Sequence, residues 1–432
     1  MALVKLITLG CSKNTVDSEV LAGNLIAAGH QLLSTESPKN PDVVIINTCG
    51  FIADAKQESI DNILQVDYLK RKQRVAKVYV MGCMVQRHGD ELKNLFPNID
   101  GWFGVQQTEE LIKQINGGLI ANTIDHLNRH QSTPEHYAYL KIAEGCDRSC
   151  SFCAIPLIRG KHVSRPIEDI EAEATQLAAH NVKELILISQ DLTYYGMDLY
   201  GVKKIAELVE RLSQIENIEW IRLHYLHPHH FPMDLLDVMR NNPKVCQYID
   251  IPVQHCSNRI LQSMKRHTSK EEIVQLITSF REQLPNAVLR TTIIVGYPGE
   301  TDEEFEELKQ FVTENQFDRL GVFKYSAEED TDAFALNDDV SEDVKEQRMS
   351  EIMAIQQDIS LQKNEAKIGQ TVQVITDNIE GEYVVGRTQG DSPEVDNEVL
   401  ITDDDDLLEI GQFYRLTITD ANAFDLFAVA NP

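Results

Sequence analysis

Eight cysteines offer the most direct chemistry in this chain: Cys11, Cys49, Cys83, Cys146, Cys150, Cys153, Cys246 and Cys256. Three of them form a C-x3-C-x2-C motif, Cys146-Asp-Arg-Ser-Cys150-Ser-Phe-Cys153. Chance would place three cysteines at one fixed spacing with an expected count of about 0.003, so three unrelated small hydrophobes explain the motif poorly. In a reducing compartment spaced cysteines mean metal or catalysis more often than disulfides. Three thiolates with no fourth nearby suit a [4Fe-4S] cluster that leaves one iron open. A structural zinc site wants four protein ligands. His162, the nearest histidine downstream, does not complete a common zinc spacing. Zinc or buried thiols remain the alternatives.

Cys11, Cys49 and Cys83 are far apart in sequence but share a context. Residues 3–9 are apolar and run into Gly10-Cys11, residues 42–48 run into Cys49-Gly50, and residues 77–82 run into Cys83. Amphipathic helical stretches at 17–28 and 53–70 separate these runs. Alternating strands and helices predict a doubly wound parallel sheet with helices on both faces. Ligands of such sheets bind beyond the carboxyl ends of the strands. All three cysteines belong to that edge, which predicts a second cluster; the alternative is three buried core cysteines. Cys246 and Cys256 have no partner spacing and read as structural.

The elements that must position these groups fall into an α/β chain of several domains. Residues 1–116 form the doubly wound parallel-sheet domain. Residues 117–136 are polar, with Asn122, Asp125, His126, Asn128, Arg129 and His130, and read as a linker. A second alternating series fills 137–335, with strands at 139–143, 184–189, 220–225, 248–253, 288–295 and 319–325. Helices at 167–180, 203–215, 270–283 and 302–315 lie between them. Six units are too few for an eight-stranded barrel and predict a partial (β/α)6 barrel. The cysteine triplet follows its first strand, where barrel active sites lie. Residues 336–367 connect through a helix to a tail at 368–432. Five short strands there, at 371–375, 383–388, 398–401, 413–419 and 426–430, predict a small antiparallel β-barrel. No Walker A or G-x-G-x-x-G motif stands at a strand-to-helix turn. His224, His227, His229 and His230 straddle Pro228, which breaks helical pairing, and are expected in a pocket wall or loop rather than around a dedicated metal.

Of the 432 residues, 42% are hydrophobic and 25% charged, enough to build real cores. No apolar run reaches the ~20 residues of a membrane-spanning helix. The N-terminus reads as a strand and not a signal peptide. A soluble, cytoplasmic protein is expected. Its net charge of −28 argues against nucleic acid and for basic partners. In the tail, Arg387 and Arg415 stand against fourteen Asp and Glu, a net of −12. Such a surface suits a Lys/Arg-rich protein; simple solubility is the alternative. Asp403 to Asp406 lack the spacing and glycine of an EF-hand loop.

Residues 139–156, Tyr-Leu-Lys-Ile-Ala-Glu-Gly-Cys-Asp-Arg-Ser-Cys-Ser-Phe-Cys-Ala-Ile-Pro, resemble the cluster loop of radical S-adenosylmethionine (SAM) enzymes. The whole chain resembles a methylthiotransferase with a three-cysteine N-terminal domain, a radical SAM partial barrel and a C-terminal TRAM domain. Leu9-Gly-Cys-Ser-Lys-Asn-Thr-Val-Asp-Ser-Glu19 is similar to the branch that modifies ribosomal protein S12. The tRNA-modifying branch more typically has Gln-Met-Asn after its first cysteine. Asn47-Thr-Cys-Gly-Phe51, Ile251-Pro-Val-Gln-His-Cys256 and Ile294-Val-Gly-Tyr-Pro-Gly-Glu-Thr301 also match.

The resemblance implies two [4Fe-4S] clusters and SAM. Cys146, Cys150 and Cys153 would be the catalytic cluster ligands, and the open iron would chelate SAM. Cys11, Cys49 and Cys83 would hold the cluster that carries the transferred sulfur. Phe152 would contact the adenine. Ser189, Gln190, Asp191, Gln254 and Arg290 would line the SAM pocket, with Arg290 pairing the SAM carboxylate; structural roles are the alternative for each. The implied reaction adds a methylthio group to the β-carbon of an aspartate of S12, with SAM as both methyl donor and radical source. The implied partners are S12, free or in the small ribosomal subunit, and an electron donor such as flavodoxin or ferredoxin, with no membrane and no tRNA. The rival functions are a tRNA adenosine methylthiotransferase and a non-catalytic iron–sulfur carrier.

Overall fold

The computed structural model describes all residues except 35–36, 38, 119–123, 404 and 431–432. Asn122 of the expected linker and Asp404 of the acidic run therefore lie outside the described residues. The chain divides into two compact units: residues 1–133, 139–147 and 154–163 form one, and 134–138, 148–153 and 164–432 the other.

The first unit contains β1 (Leu3–Thr8), α1 (Ser12–Ala27), β2 (Gln31–Leu32), β3 (Val43–Thr48), α2 (Ala53–Arg71), β4 (Lys77–Gly82), α3 (Cys83–Leu95), β5 (Gly101–Phe103) and α4 (Thr108–Ile115). The five strands form one parallel sheet in the order β2-β1-β3-β4-β5. Strand β3 is buried at every residue because both faces are covered. Its alternate side chains divide between two cores. Val44 and Ile46 join Val78, Val80, Ile63 and Val66 on the α2 side. Ile45 joins Tyr79, Met81, Leu21, Leu25 and Leu111 on the α1 and α4 side. That two-sided split is the doubly wound arrangement expected from the sequence.

The polar stretch after α4 is tied to α1. The Glu19 carboxylate, 1% exposed, accepts from Arg129 Nε at 2.6 Å and from Ser132 N and Oγ at 2.7 Å each. Asn24 Nδ2 donates to the Asp125 carbonyl at 2.9 Å. A buried carboxylate needs such donors, so one acidic residue in α1 orders the connection that follows the sheet.

The expected boundary near residue 137 does not separate the units. Strand β6 (Tyr137–Lys141) begins in the second unit and ends in the first, which also holds β7 (Ala143–Glu144) and α5 (Ile155–Arg159). Within the first unit, Lys141 and Arg159 both pair with Asp17 of α1.

The second unit continues through β8 (Val163–Ser164), α6 (Ile167–Ala179), β9 (Glu184–Ile188), α7 (Met197–Tyr200), α8 (Ile205–Leu212), β10 (Trp220–Leu223), α9 (Asp234–Asn241), β11 (Tyr248–Asp250), α10 (Asn258–Ser263), α11 (Lys270–Gln283), β12 (Val288–Val295), α12 (Asp302–Asn315) and β13 (Arg319–Lys324). Capping boxes at Ser269/Glu272 and Thr301/Glu304 start α11 and α12 and satisfy otherwise orphaned N–H groups. The strands form two three-stranded sheets, β10-β9-β6 and β11-β12-β13. A single parallel bridge, Ile221 to Val245, joins the edge of β10 to the segment entering β11. Strand β11 stops before Pro252, which has no N–H for the ladder, and is shorter than the expected 248–253.

Helix α13 (Glu342–Glu365) leads to β14 (Thr371–Glu380), β15 (Tyr383–Thr388), β16 (Val399–Thr402), β17 (Phe413–Ala421) and β18 (Leu426–Val429). These close in the order β14-β15-β16-β18-β17. The β16–β18 pair is parallel, so the barrel is not wholly antiparallel as expected.

Part of the tail's acidity points inward. Asp377 pairs with Arg387 and with His136 Nε2 at 2.7 Å. Asp391, 1% exposed, pairs with Arg319. Asp396 accepts from Tyr248 Oη at 2.6 Å and pairs with Arg290. Behind them Glu184, fully buried, joins Arg222 at 2.7 Å and Arg387 at 2.6 Å. These carboxylates pin the small barrel to the partial barrel, so the tail's charge of −12 is not all surface. Removing one partner of a buried ion network leaves an uncompensated charge, at a cost of about 3–5 kcal/mol. Arg387→Met should destabilise the second unit by that amount, read as a lowered midpoint in denaturant unfolding.

Candidate active site

The first three cysteines occupy the carboxyl ends of neighbouring strands, as the alternation predicted. Cys11 follows β1 and caps α1; Cys49 follows β3; Cys83 opens α3 directly after β4. The approach is close because glycines surround it. Gly10 has φ +90°, and a Cβ there would lie 2.6 Å from Cys49 Cβ and 2.9 Å from its sulfur. Gly82, at φ +103°, would bring a Cβ within 2.4 Å of Asn47 Oδ1. Side chains at either position would push the strand ends apart.

Cys11 is exposed, whereas Cys49 and Cys83 are buried. Burial pushes the Cys83 thiol up to about 11, opposed by Arg159 and reinforced by the charges of Cys11 and Cys49. Burial also raises Cys49, partly offset by the Phe51 N–H, with the Cys11 charge raising it further. Cys49 and Cys83 thus favour the protonated thiol until a cation arrives.

Arg159 supplies the fixed positive charge. Its Nη2 donates to Cys83 Sγ at 3.4 Å and to Asn14 Oδ1. Its Nη1 pairs with Asp17 and Glu144, each at 2.9 Å. Three converging thiols beside a guanidinium fit an anionic iron–sulfur cluster. Among the described residues no three His, Cys, Asp or Glu side chains are close enough to share one metal ion. Thiolates that each bind a different iron of a cube stand farther apart than the ligands of a single ion.

Of the C-x3-C-x2-C motif, Cys146 is assigned to the first unit and Cys150 and Cys153 to the second. The Cys146 N–H donates to the Gly160 carbonyl at 3.1 Å. Cys150 Sγ accepts from Arg266 Nη1 at 3.3 Å. Ser151 Oγ donates to the Ser263 carbonyl at 2.8 Å and meets Tyr297 Oη at 2.9 Å. Phe152 packs, half-buried, against Ile260, Met264, Tyr297 and Tyr325. The loop is therefore held from several sides while its three sulfurs stay partly accessible, which also fits a cluster.

The expected pocket residues separate into distinct environments. Ser189 is buried, and its Oγ accepts from the Asp191 N–H at 3.1 Å. Asp191 pairs with Arg148 Nε at 2.7 Å and caps a short 3-10 turn through Thr193. It therefore positions an arginine of the cysteine loop. Gln190 is half-buried beside it. Gln254, at φ +73°, bridges to Ile293 of β12; a non-glycine held there stores strain of a kind that gathers at functional sites. Arg290 departs from the expectation. Asp250 at 3.0 Å and Asp396 at 3.2 Å already hold its guanidinium, so it joins the partial barrel to the tail.

The histidine group also divides. His224 Nε2 meets Ser392 Oγ of the tail at 2.9 Å. His229 and His230 stack at 3.9 Å, and His267 joins them at 5.9 Å. His267 in turn hydrogen-bonds Ser149 of the cysteine loop at 3.1 Å. Arg159, Arg266 and His267 are the site residues that sequence reasoning missed. Arg159, six residues after Cys153, is the one a local search for cations could have found. In metal-free protein, Arg159→Met should raise the Cys83 pKa further and slow its alkylation about tenfold, the effect of one pKa unit. Mass-resolved thiol labelling reads that rate, and an unchanged rate would deny Arg159 its electrostatic role.

Comparison with known proteins agrees with this geometry. Residues 3–104 match the Uncharacterized protein family UPF0004, residues 140–312 the Radical SAM superfamily, and residues 368–430 the TRAM domain. The chain is 51% identical over 425 residues to the ribosomal protein uS12 methylthiotransferase RimO of Flavobacterium johnsoniae, covering 98% of this chain and 97% of the relative. It is 49% identical to the enzyme of the same name from Phocaeicola vulgatus, covering 98% of each. In fold it is similar to the radical SAM methyltransferase TsrM from Kitasatospora setae, with a TM-score of 0.55 at 15% identity over 74% of this chain and 72% of that one. The cysteine-bearing sheet edge, the partial barrel, the small closing barrel and near-full-length identity of about half place this chain in the RimO-type family of radical SAM methylthiotransferases.

Proposed function

We propose that the protein adds a methylthio group to the β-carbon of an aspartate of ribosomal protein uS12. The observation that carries this is near-full-length similarity to uS12 methylthiotransferases in a chain with two separate cysteine triads. Two [4Fe-4S] clusters, one on each triad, together with SAM would supply the sulfur to be transferred, the methyl group and a 5′-deoxyadenosyl radical that takes the substrate hydrogen.

The chain's own residues bind, orient and balance charge. Arg159 lowers the cost of thiolates at Cys49 and Cys83, and Arg266 Nη1 donates a hydrogen bond to Cys150 Sγ. Asp191 holds Arg148 against the loop. The apolar packing of Phe152, Met264, Tyr297 and Tyr325 keeps water from one flank of the triplet. The acidic residues of the tail that face solvent, such as Glu380, Glu382 and Asp420, favour a basic ribosomal protein over tRNA. A reduced flavodoxin or ferredoxin would supply the electron.

A strain lacking the protein should lose a methylthio mass from uS12 and keep its tRNA nucleosides unchanged; loss from tRNA instead would overturn the substrate assignment. Anaerobically purified protein should carry about eight irons per chain, whereas about four would leave one triad without a cluster. Cys150→Ala should abolish SAM cleavage. Cys49→Ala should retain part of the cleavage while losing methylthio transfer, and equal loss of both would contradict separate roles for the triads.

A further inference from the structure

Two buried donors beside the cysteine loop lack an acceptor. His227 is 8% exposed and follows the carboxyl end of β10. Its Nδ1 accepts from the His229 N–H at 3.1 Å, so the ring proton of the neutral imidazole sits on Nε2. That Nε2 is buried without a hydrogen-bond partner among the described residues. Arg266 is 5% exposed. It gives Nη1 to Cys150 Sγ and Nη2 to the Pro252 carbonyl, and its Nε–H is likewise buried and unpartnered.

An unmet buried donor forfeits its hydrogen bond to water, and native cores avoid such groups. Here two of them stand within electrostatic range of each other, and Arg148 and His267 also act on His227. Burial and these arginines hold His227 neutral, so it can donate from Nε2 but adds no charge of its own. The backbone around them is strained as well: His230, Gln254, Lys265 and His267 all have positive φ. Two unmet donors suit an acceptor that takes two hydrogen bonds, as a carboxylate does.

We propose, on the uS12 reading above, that His227 Nε2–H and Arg266 Nε–H receive the side-chain carboxylate of the substrate aspartate. That carboxylate is one bond from the β-carbon to be modified, so gripping it fixes the reacting carbon beside the cysteine loop. SAM is the other source of a carboxylate, but on the same reading its carboxylate is committed to the open iron. Two donors also discriminate: asparagine would turn its own NH2 toward one of them.

The test uses full-length, cluster-reconstituted protein and two uS12 peptides, one with the target aspartate and one with asparagine in its place. Equilibrium binding is measured without reductant, and SAM binding is measured separately. Wild type should bind the aspartate peptide about tenfold to a hundredfold more tightly than the asparagine peptide. His227→Ala should bring that ratio to within about threefold, and His227→Gln, which keeps a donor, should restore part of it. An undiminished ratio in both variants overturns the proposal. So does a loss of SAM affinity that exceeds the loss for the aspartate peptide, because SAM would then be the carboxylate source. If wild type modifies tRNA and not uS12, the functional reading itself fails and takes this proposal with it. If wild type modifies uS12 and the variants keep the preference, the proposal fails alone.

Discussion

Three thiols gathered at one sheet edge would repel one another once ionised, and Arg159 is the fixed positive charge beside them. Its guanidinium reaches Cys83 Sγ, Asn14, Asp17 and Glu144. These contacts tie α1, α3, β7 and α5 of the first unit together. A cation so placed lowers the cost of ionising the thiols, although burial still dominates at Cys83. The same short stretch of chain carries the C-x3-C-x2-C motif and then, six residues on, the charge that serves the other triad. Ser151 and Phe152 are held within the second unit by Ser263 and by the apolar cluster around Tyr297.

The rest of the site follows from strand direction. Parallel strands joined by helices deliver all their carboxyl ends to one edge. Cys11, Cys49 and Cys83 arrive there in the first sheet. Gln254, His227 and the Ser189–Asp191 turn follow strands of the partial barrel in the same way. The backbone after these strands is also strained, at left-handed residues such as Gln254 and His267.

The net charge of −28 takes on a different meaning once the pairs are known. Asp377, Asp391 and Asp396 fasten the tail to the partial barrel through Arg387, Arg319 and Arg290, and Glu184 lies beneath them. Acidic residues serve here as one half of a buried lattice as well as on the surface. The solvent-facing remainder is what bears on partner choice, and it is smaller than the count suggests.

The sequence by itself determined the periodic elements and the cysteines at their ends. Apolar runs and capping signals are local, so β12, α11, α12 and β15 appear at their expected residues. Cysteine spacing is local too and singled out Cys146, Cys150 and Cys153, whereas Cys11, Cys49 and Cys83 were singled out by their places after three apolar runs. The roles of Arg290, Arg266 and His227 were decided only by tertiary structure. The two arginines depend on partners that no spacing rule foresees: Asp396 lies 106 residues from Arg290, and Arg266 lies 116 from Cys150. A guanidinium pairs with whichever carboxylate the fold brings within about 3 Å. Burial can likewise leave a donor unmet only after the core has closed around it.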